Sequence, residues 1–312
     1  MEKMVIMGVE STAHTFGVGI VTKDGNILAN VKDSYSSLDA GMIPDEVADH
    51  HKSVAEEIRQ KAFKEAGITW NDVEFISYSA GPGLDPALWA GYHIVKVWAD
   101  QYKKKIVGVN HCCAHLSIGK VWNKLKAPCY LYVSGVNTQI IVQEKGKYRI
   151  MGETLDIGLG NLLDKFGRVV GLGFPAGPKI EELAKNGKYI ELPYTVKGMD
   201  MSFSGILTKV QQLHNKGIST EDLCFSLQET CFAMLAEVVE RAMANTDKKE
   251  LLLVGGVGAN KRFCEMLDIM CQEREAIFYK VPMDLAGDQG AMIAWEGVLR
   301  HGEYGDIEVN PH

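Results

Sequence analysis

Short apolar runs recur along the chain in one repeated grammar. Val5–Glu10, Phe16–Thr22 and Asn26–Val31 are rich in Val, Ile and Phe, and the polar stretches Ser11–Thr15 and Lys23–Gly25 separate them. Such runs bounded by turn residues predict three strands. Roughly 125 residues later the same unit returns, a sign of internal duplication. Cys129–Ser134, Gln139–Glu144 and Tyr148–Glu153 are the runs, and Gly135–Thr138 and Lys145–Lys147 the turns. Between and after the copies the period changes to that of helices. Val47, Val54, Ala55, Ile58, Ala62 and Phe63 recur at helical spacing within Pro44–Gly67. Further helices are predicted at Ala87–Tyr102, Asn161–Val170, Pro178–Asn186, Phe203–Lys216, Thr220–Asn245, Lys261–Glu273 and Asp288–Arg300. Strands are predicted at Val73–Ser79, Ile106–Val109, Glu250–Val254 and Phe278–Val281, and Asn110 is a candidate N-cap.

The repeat predicts an α/β protein of two lobes with a cleft between them. We place the N-terminal lobe at residues 1–127 and the C-terminal lobe at 128–290, with a last helix, about 291–312, packing back on the first lobe. The length of 312 residues agrees with two domains, and 46% apolar with 23% charged residues excludes a disordered chain.

Charge narrows the function. The 33 Lys and Arg against 40 Asp and Glu give a net charge of −7, which excludes a bulk-basic nucleic-acid binder. Any polyanion is bound through a local patch or a partner's charge. Lys103–Lys105 is one basic run, read as a solvated helix end. No membrane span is expected, and MEKMVIMGVE lacks the pattern of a signal peptide. The seven cysteines form no CxxC, and Cys224, Cys231, Cys264 and Cys271 on predicted helices are expected to be buried free thiols. Both features suit a reducing cytoplasm.

Three turns carry candidate chemistry. Glu10-Ser11-Thr12, Ser134–Thr138 and Gly255–Asn260 each follow a strand and expose amides or hydroxyls of the kind that cradle phosphate. One such turn is weak, but a matched pair in duplicated lobes plus a third opening a helix resembles the actin, hexokinase and heat-shock-chaperone ATPase superfamily. No GxxxxGK[ST] is present, which disfavours a P-loop enzyme. His111 and His115 stand four apart in HCCAH, a spacing that stacks two imidazoles on one helix face. They read either as a metal pair or as capping and surface histidines. Cys112 stands where a zinc peptidase needs Glu, so that chemistry is disfavoured. Asp288 is a candidate carboxylate ligand. Asp164 and Arg168 read as a helix ion pair or as part of a ligand loop with Gly171–Pro178.

The segments GVESTAHTFGVGIV, AGPGL, NHCCAH, YVSGVNTQ, ETLDIGLGN, GFPAGPKIEELA, DMSFSGI, GGVGAN and DQGAMIA run in order from residue 8 to residue 294. Together they resemble the tRNA threonylcarbamoyltransferase family, and NHCxAH with SGxNTQ point to its archaeal and eukaryotic branch, the catalytic subunit of the KEOPS complex. The resemblance implies an actin-like ATPase fold, one Fe(2+) or Zn(2+) ion per subunit, and an adenine nucleotide, ATP or threonylcarbamoyl-adenylate, in the cleft. It implies transfer of a threonylcarbamoyl group to the N6 amine of the tRNA adenosine beside the anticodon. It places the metal ligands on His111, His115, Tyr132 and Asp288. Substrate and nucleotide contacts fall on Tyr132, Val133, Ser134, Gly135, Val136, Asp164, Gly177, Glu181 and Asn260. Glu10 is a candidate catalytic residue, as proton acceptor or partner of a metal-bound water. The implied partners are tRNA, a small kinase-like protein, a small dimerisation subunit and a tRNA-binding accessory subunit. Pro44–Gly67 offers apolar positions for a partner helix or for the lobe's own sheet.

Val136 stands where the family usually has Gly, Asp85 replaces a Gly, Asp45 an Arg and Gln289 an Asn. A backbone with φ > 0 at Val136 costs about 1–2 kcal/mol for a residue with a Cβ. Two other functions share the fold or the setting. One is a sugar- or acetate-type phosphotransferase, which has no use for His111 and His115. The other is a non-catalytic scaffold in a tRNA-binding assembly.

Overall fold

The two repeats fold into two sheets with the same strand order. The computed structural model describes residues 4–36 and 43–304. The first unit contains β1 (Val5–Glu10), β2 (Thr15–Thr22), β3 (Ile27–Ser34), α1 (Pro44–Ala66), β4 (Val73–Gly81), α2 (Asp85–Tyr102), β5 (Lys105–Asn110) and α3 (His111–Trp122). The second contains β6 (Cys129–Val133), β7 (Thr138–Glu144), β8 (Lys147–Glu153), α4 (Leu159–Val169), α5 (Gly177–Ala184), β9 (Val196–Lys197), β10 (Asp200–Met201), α6 (Ser204–Asn215), α7 (Thr220–Thr246), β11 (Glu250–Val254), α8 (Lys261–Glu273), β12 (Ile277–Lys280) and α9 (Met283–Ala286). The chain then returns to the first unit with α10 (Gly290–Tyr304).

The sheet orders are β3-β2-β1-β4-β5 and, position for position, β8-β7-β6-β11-β12. In each, a three-stranded antiparallel meander is extended by two parallel strands. A hairpin joins antiparallel neighbours in a few residues, whereas a parallel neighbour needs a crossover, which the helices supply. β1 is buried throughout because helices cover both faces of its sheet. Val5, Met7 and Val9 join the core with Ala55, Ile58, Val95 and Trp98 of α1 and α2. Ile6 faces the opposite way, against Ala114 and Ile118 of α3 and Ala291–Ala294 of α10. The second unit has its own core, with Leu131, Val133, Leu162, Phe166, Leu227, Leu235 and Leu253 among its members.

The unit boundaries fall at Trp122/Asn123 and Ala286/Gly287, each a few residues before the expected 127 and 290. The difference matters for Asp288. It lies in the first unit and just ahead of α10, rather than in the second lobe and within the last helix. Lys32 of β3 fixes it there by donating to the Asp288 carbonyl at 3.1 Å. The part of the last helix expected beyond residue 304 lies outside the described residues.

The four positions at which the chain departs from the pattern of the family it resembles have distinct local settings, and of these the Gln289 side-chain nitrogen is buried without a hydrogen-bond partner among the described residues. Asp45 and Asp85 sit in the first turns of α1 and α2, where a negative charge meets the positive end of the helix. Gln289 caps α10 by accepting the Met292 amide at 3.0 Å. Val136 is not among the residues with positive φ, so its Cβ meets no left-handed strain. Cys224, Cys231 and Cys271 are buried as expected, while Cys264 is half-buried and donates to the Gly258 carbonyl at 3.3 Å. None of the described helices is long and apolar enough to cross a membrane.

Candidate functional site

In the first unit the end of β5 passes directly into α3. Asn110 caps the turn, its side-chain oxygen accepting the Cys113 amide at 3.0 Å. This cap starts the helix at His111, so the two histidines occupy successive turns of one face. His111 and His115 are both buried, and their rings lie edge to face with centroids 4.7 Å apart. Asp288 completes the group. Its Oδ1 is 3.2 Å from His115 Nε2 and 3.5 Å from His111 Nε2. One potential ligand atom from each of the three residues lies within 4.8 Å of the others.

Two imidazole nitrogens and a carboxylate converging on one point form a donor set that fits zinc or ferrous iron. The electrostatics agree with an anionic centre. Burial opposes ionisation of Asp288, but the hydrogen bond from His115 and the charges of His111 and His115 outweigh it and hold the carboxyl well below the usual range. Burial also works against a charged His111, yet Glu10 and then Asp288 raise it to about 9. Burial pushes His115 the other way, below its ordinary value.

Glu10 lies behind this group, at the end of β1 and fully buried. Its Oε2 is 3.0 Å from His111 Nδ1. Its Oε1 accepts both the amide of Thr12 at 2.7 Å and the hydroxyl of Thr12 at 2.5 Å. The same hydroxyl is 3.2 Å from His111 Nδ1. Sequence reading places Thr12 on a phosphate-type turn but gives no hint of its contact with His111. Ser11 and Thr12 are held in turn by Ser79 Oγ, which accepts the Ser11 amide at 3.0 Å, and by the Leu84 amide, which donates to the Thr12 carbonyl at 2.7 Å.

The remaining candidates belong to the second unit. Tyr132 and Val133 are buried at the end of β6. The turn that follows is closed by the Ser134 amide on the Asn137 carbonyl at 2.8 Å and the Asn137 amide on Ser134 Oγ at 3.0 Å. The start of α4 rests on this turn. Its Gly160 and Asn161 amides donate to the carbonyls of Ser134 and Gly135, at 3.2 and 2.9 Å, and its Leu159 amide donates to Thr138 Oγ1 at 2.9 Å. A Cβ at Gly158 would stand 2.3 Å from the Val136 carbonyl oxygen, and one at Gly160 2.6 Å from that of Ser134. Close approach therefore requires both glycines of the LDIGLGN segment. Val136 itself is 73% exposed.

Asp164 accepts the Ala176 amide at 2.9 Å, which ties α4 to the Gly-Pro loop, and no ion pair joins it to Arg168 among the described residues. Gly177 opens α5, and a Cβ there would meet nothing within 4 Å. Glu181 accepts the Lys261 amide at 2.7 Å, and Asn260 caps the same helix, α8, through the Phe263 amide at 2.9 Å. Asp156 is a residue that sequence reading passes over. It accepts the amides of Ile157, Phe203 and Ser204, and so joins the ETLDIGLGN and DMSFSGI segments. Burial opposes this, but the three amides hold its carboxyl below the ordinary range.

The family model described as tRNA N6-adenosine threonylcarbamoyltransferase matches residues 25–295. The chain belongs to this family. A protein of that name from Thermococcus sibiricus is 52% identical over 297 residues, covering 95% of this chain and 91% of the relative. A probable bifunctional tRNA threonylcarbamoyladenosine biosynthesis protein from Methanobrevibacter smithii is 49% identical, and the match covers 98% of this chain but 57% of that longer protein. Among solved structures, full-length HypF in a phosphate- and nucleotide-bound form superposes with a TM-score of 0.67 at 11% identity, over 97% of this chain and 56% of that one. At that identity the likeness concerns the fold, which is the actin-like ATPase fold.

Proposed function

We propose that this chain transfers the threonylcarbamoyl group from threonylcarbamoyl-adenylate to the N6 amine of the tRNA adenosine beside the anticodon. The convergence of His111, His115 and Asp288 on one point, in a member of this family, carries the reading. In the reaction the N6 nitrogen bonds to the carbamoyl carbon, the bond from that carbon to the phosphate oxygen breaks, and AMP leaves with the electron pair while the amine gives up a proton. AMP is already a good leaving group and an adenine amine a poor nucleophile. The protein's task is then mainly orientation and stabilisation of charge on the anhydride.

His111, His115 and Asp288 hold Fe(2+) or Zn(2+), with Tyr132 as a further ligand. Bound there, the ion supplies a template and Lewis-acid polarisation of the anhydride. The turn Tyr132–Val136 contacts the substrate phosphate, and Asp164, Gly177, Glu181 and Asn260 contact the nucleoside of an adenine nucleotide. Support for this comes from the fixed shape of the turn under α4, whose Ser134 and Gly135 carbonyls accept the Gly160 and Asn161 amides. A phosphotransferase acting on a small alcohol or acid has no role for the two histidines and is disfavoured.

The protein acts in the cytoplasm with tRNA and KEOPS-type partners: a kinase-like protein, a dimerisation subunit and a tRNA-binding accessory subunit. The net charge of −7 supports the need for partners in tRNA binding. A groove of about 750 Å³ between α1 and α2, lined by residues such as Trp89, Val97 and Asp49, offers one place for a partner helix. The test is mass spectrometry of adenosine modification with tRNA, partners and threonylcarbamoyl-adenylate, alongside metal analysis. Modified adenosine and one metal ion per chain are expected. Full metal content in the His111→Ala/His115→Ala double variant would refute the centre.

A further inference from the structure

We infer that Glu10 and Thr12 are positioning residues for the metal ligand His111, dedicating its Nε2 to the ion, and that Glu10 is not the proton acceptor of the reaction. The inference rests on the metal reading above.

The geometry of the ring carries it. His111 spans two carboxylates, with Nδ1 3.0 Å from Glu10 Oε2 and Nε2 3.5 Å from Asp288 Oδ1. A neutral imidazole has one proton, and the nitrogen that donates to a carboxylate keeps it, which leaves the lone pair of the other nitrogen for a cation. Glu10 therefore selects the tautomer in which Nε2, on the side of His115 and Asp288, is the ligand atom. Glu10 is fixed in its own turn. Two donors from Thr12 converge on its Oε1, and its side chain is fully buried. Both of its oxygens are engaged within the protein, so neither faces an approaching amine. Two of the three polar side chains of the Glu-Ser-Thr turn, Glu10 and Thr12, are thus directed at a metal ligand, which sets it apart from the turn at Ser134–Asn137 of the second unit.

Glu10→Gln tests this at nearly constant shape. The Gln oxygen replaces Oε1, because two Thr12 donors point there, and the Gln NH2 then faces His111 Nδ1 and donates to it. Nδ1 becomes the acceptor and the proton moves to Nε2, where the ion must sit. Zinc affinity of the full chain, measured by chelator competition, should fall about 10- to 100-fold, the usual cost of losing a partner behind a metal-bound histidine. Nitrogen-15 spectra of the zinc-loaded, histidine-labelled protein should show His111 protonated at Nδ1 in the wild type and lose that signature in the variant. Thr12→Val, which exchanges the hydroxyl for a methyl, should weaken zinc binding in the same direction and by less. Unchanged zinc affinity and an unchanged His111 signature in Glu10→Gln would overturn the inference. If that variant does not fold, zinc affinity in Thr12→Val within twofold of wild type does so instead. A wild-type chain that binds no zinc or iron refutes the metal centre itself, a separate and visible failure.

Discussion

A Cβ added to Gly19 would stand 2.0 Å from the amide nitrogen of Ala291. The reciprocal contacts are as close, with a Cβ at Gly8 falling 2.1 Å from the Ala294 nitrogen and one at Gly290 falling 2.1 Å from the Gly19 nitrogen. Helix α10 therefore lies backbone to backbone on β1 and β2, with no side chain between them. This contact explains why the FGVG and DQGAMIA segments, some 270 residues apart in the chain, carry glycines at matching places. It also sets the position of Asp288, two residues ahead of α10.

Gly19→Ala should accordingly damage both stability and metal binding. The added methyl has backbone on its far side and cannot be absorbed by a rotamer change, so α10 must move away from the sheet. Overpacking of this kind costs about 1–3 kcal/mol or more. Urea denaturation should report the loss, and zinc affinity should fall with it because Asp288 moves with the helix. Gly205→Ala is the control, since a Cβ at Gly205 meets nothing within 4 Å. A Gly19→Ala protein as stable as the control would show that α10 is not held this closely.

Val136→Gly should not improve the turn. Val136 has an ordinary φ and a side chain 73% exposed, so no strain waits to be released. The substitution instead adds freedom to the unfolded chain, a loss of about 0.4–1 kcal/mol. Calorimetric titration with an adenine nucleotide should give an affinity within about twofold of wild type, less than 0.5 kcal/mol. Tighter binding by tenfold would mean that the valine does obstruct the turn.

How much of this was readable in advance follows from the range of each interaction. The repeated strand–turn unit is visible because Gly, Asn, Ser and Lys punctuate short apolar runs, and both sheets contain the strands so predicted. The hairpin of β9 and β10 has two residues in each strand, too few for any alternation to show. His111 and His115 are visible as a pair because one helix carries both at a fixed spacing. Their meeting with Asp288, 173 positions from His115, and with Thr12, 99 positions from His111, depends on where β1 lies in the sheet and how α10 packs on it. No local pattern encodes that. Asp156 is quiet for the same reason, since its value lies in amides 47 and 48 positions away.

Asn260→Ala should destabilise the second unit even without nucleotide. Its Oδ1 accepts the Phe263 amide at 2.9 Å, and its Nδ2 donates to the buried Gln228 Oε1 at 2.6 Å. Loss of the cap costs about 1 kcal/mol, and an unpaired buried Gln oxygen adds about 1–3 kcal/mol. Asn260→Asp keeps an oxygen for the cap, and Gln228 can turn its amide to donate, so this variant should lose less than half as much. Urea denaturation of the nucleotide-free protein separates this effect from nucleotide affinity. Equal stability of Asn260→Ala and wild type would show that the cap carries no weight.

His51 should make the fold sensitive to mild acid. It lies on α1, fully buried, with neither ring nitrogen hydrogen-bonded and its ring centroid 5.5 Å from that of Phe16. Burial, and next the neighbouring His50, lower its pKa from 6.5 to about 4, while the Ala13 carbonyl and Glu10 pull weakly the other way. The sign follows from comparing the two states. Below pH 6.5 the unfolded chain takes up a proton that the folded chain refuses until about pH 4. The stability contributed by this histidine is therefore complete above the unfolded value and drains away as the pH falls toward the folded one. At about 1.4 kcal/mol per pH unit the loss approaches roughly 3 kcal/mol. His51→Leu removes the titrating group and keeps a buried apolar side chain beside Phe16. Urea denaturation at pH 7 and again near pH 4.5 gives the test as a difference of differences. Wild type should lose about 2–3 kcal/mol more than His51→Leu over that interval. The same loss in both proteins would mean that His51 finds a proton, or a partner, in the folded state.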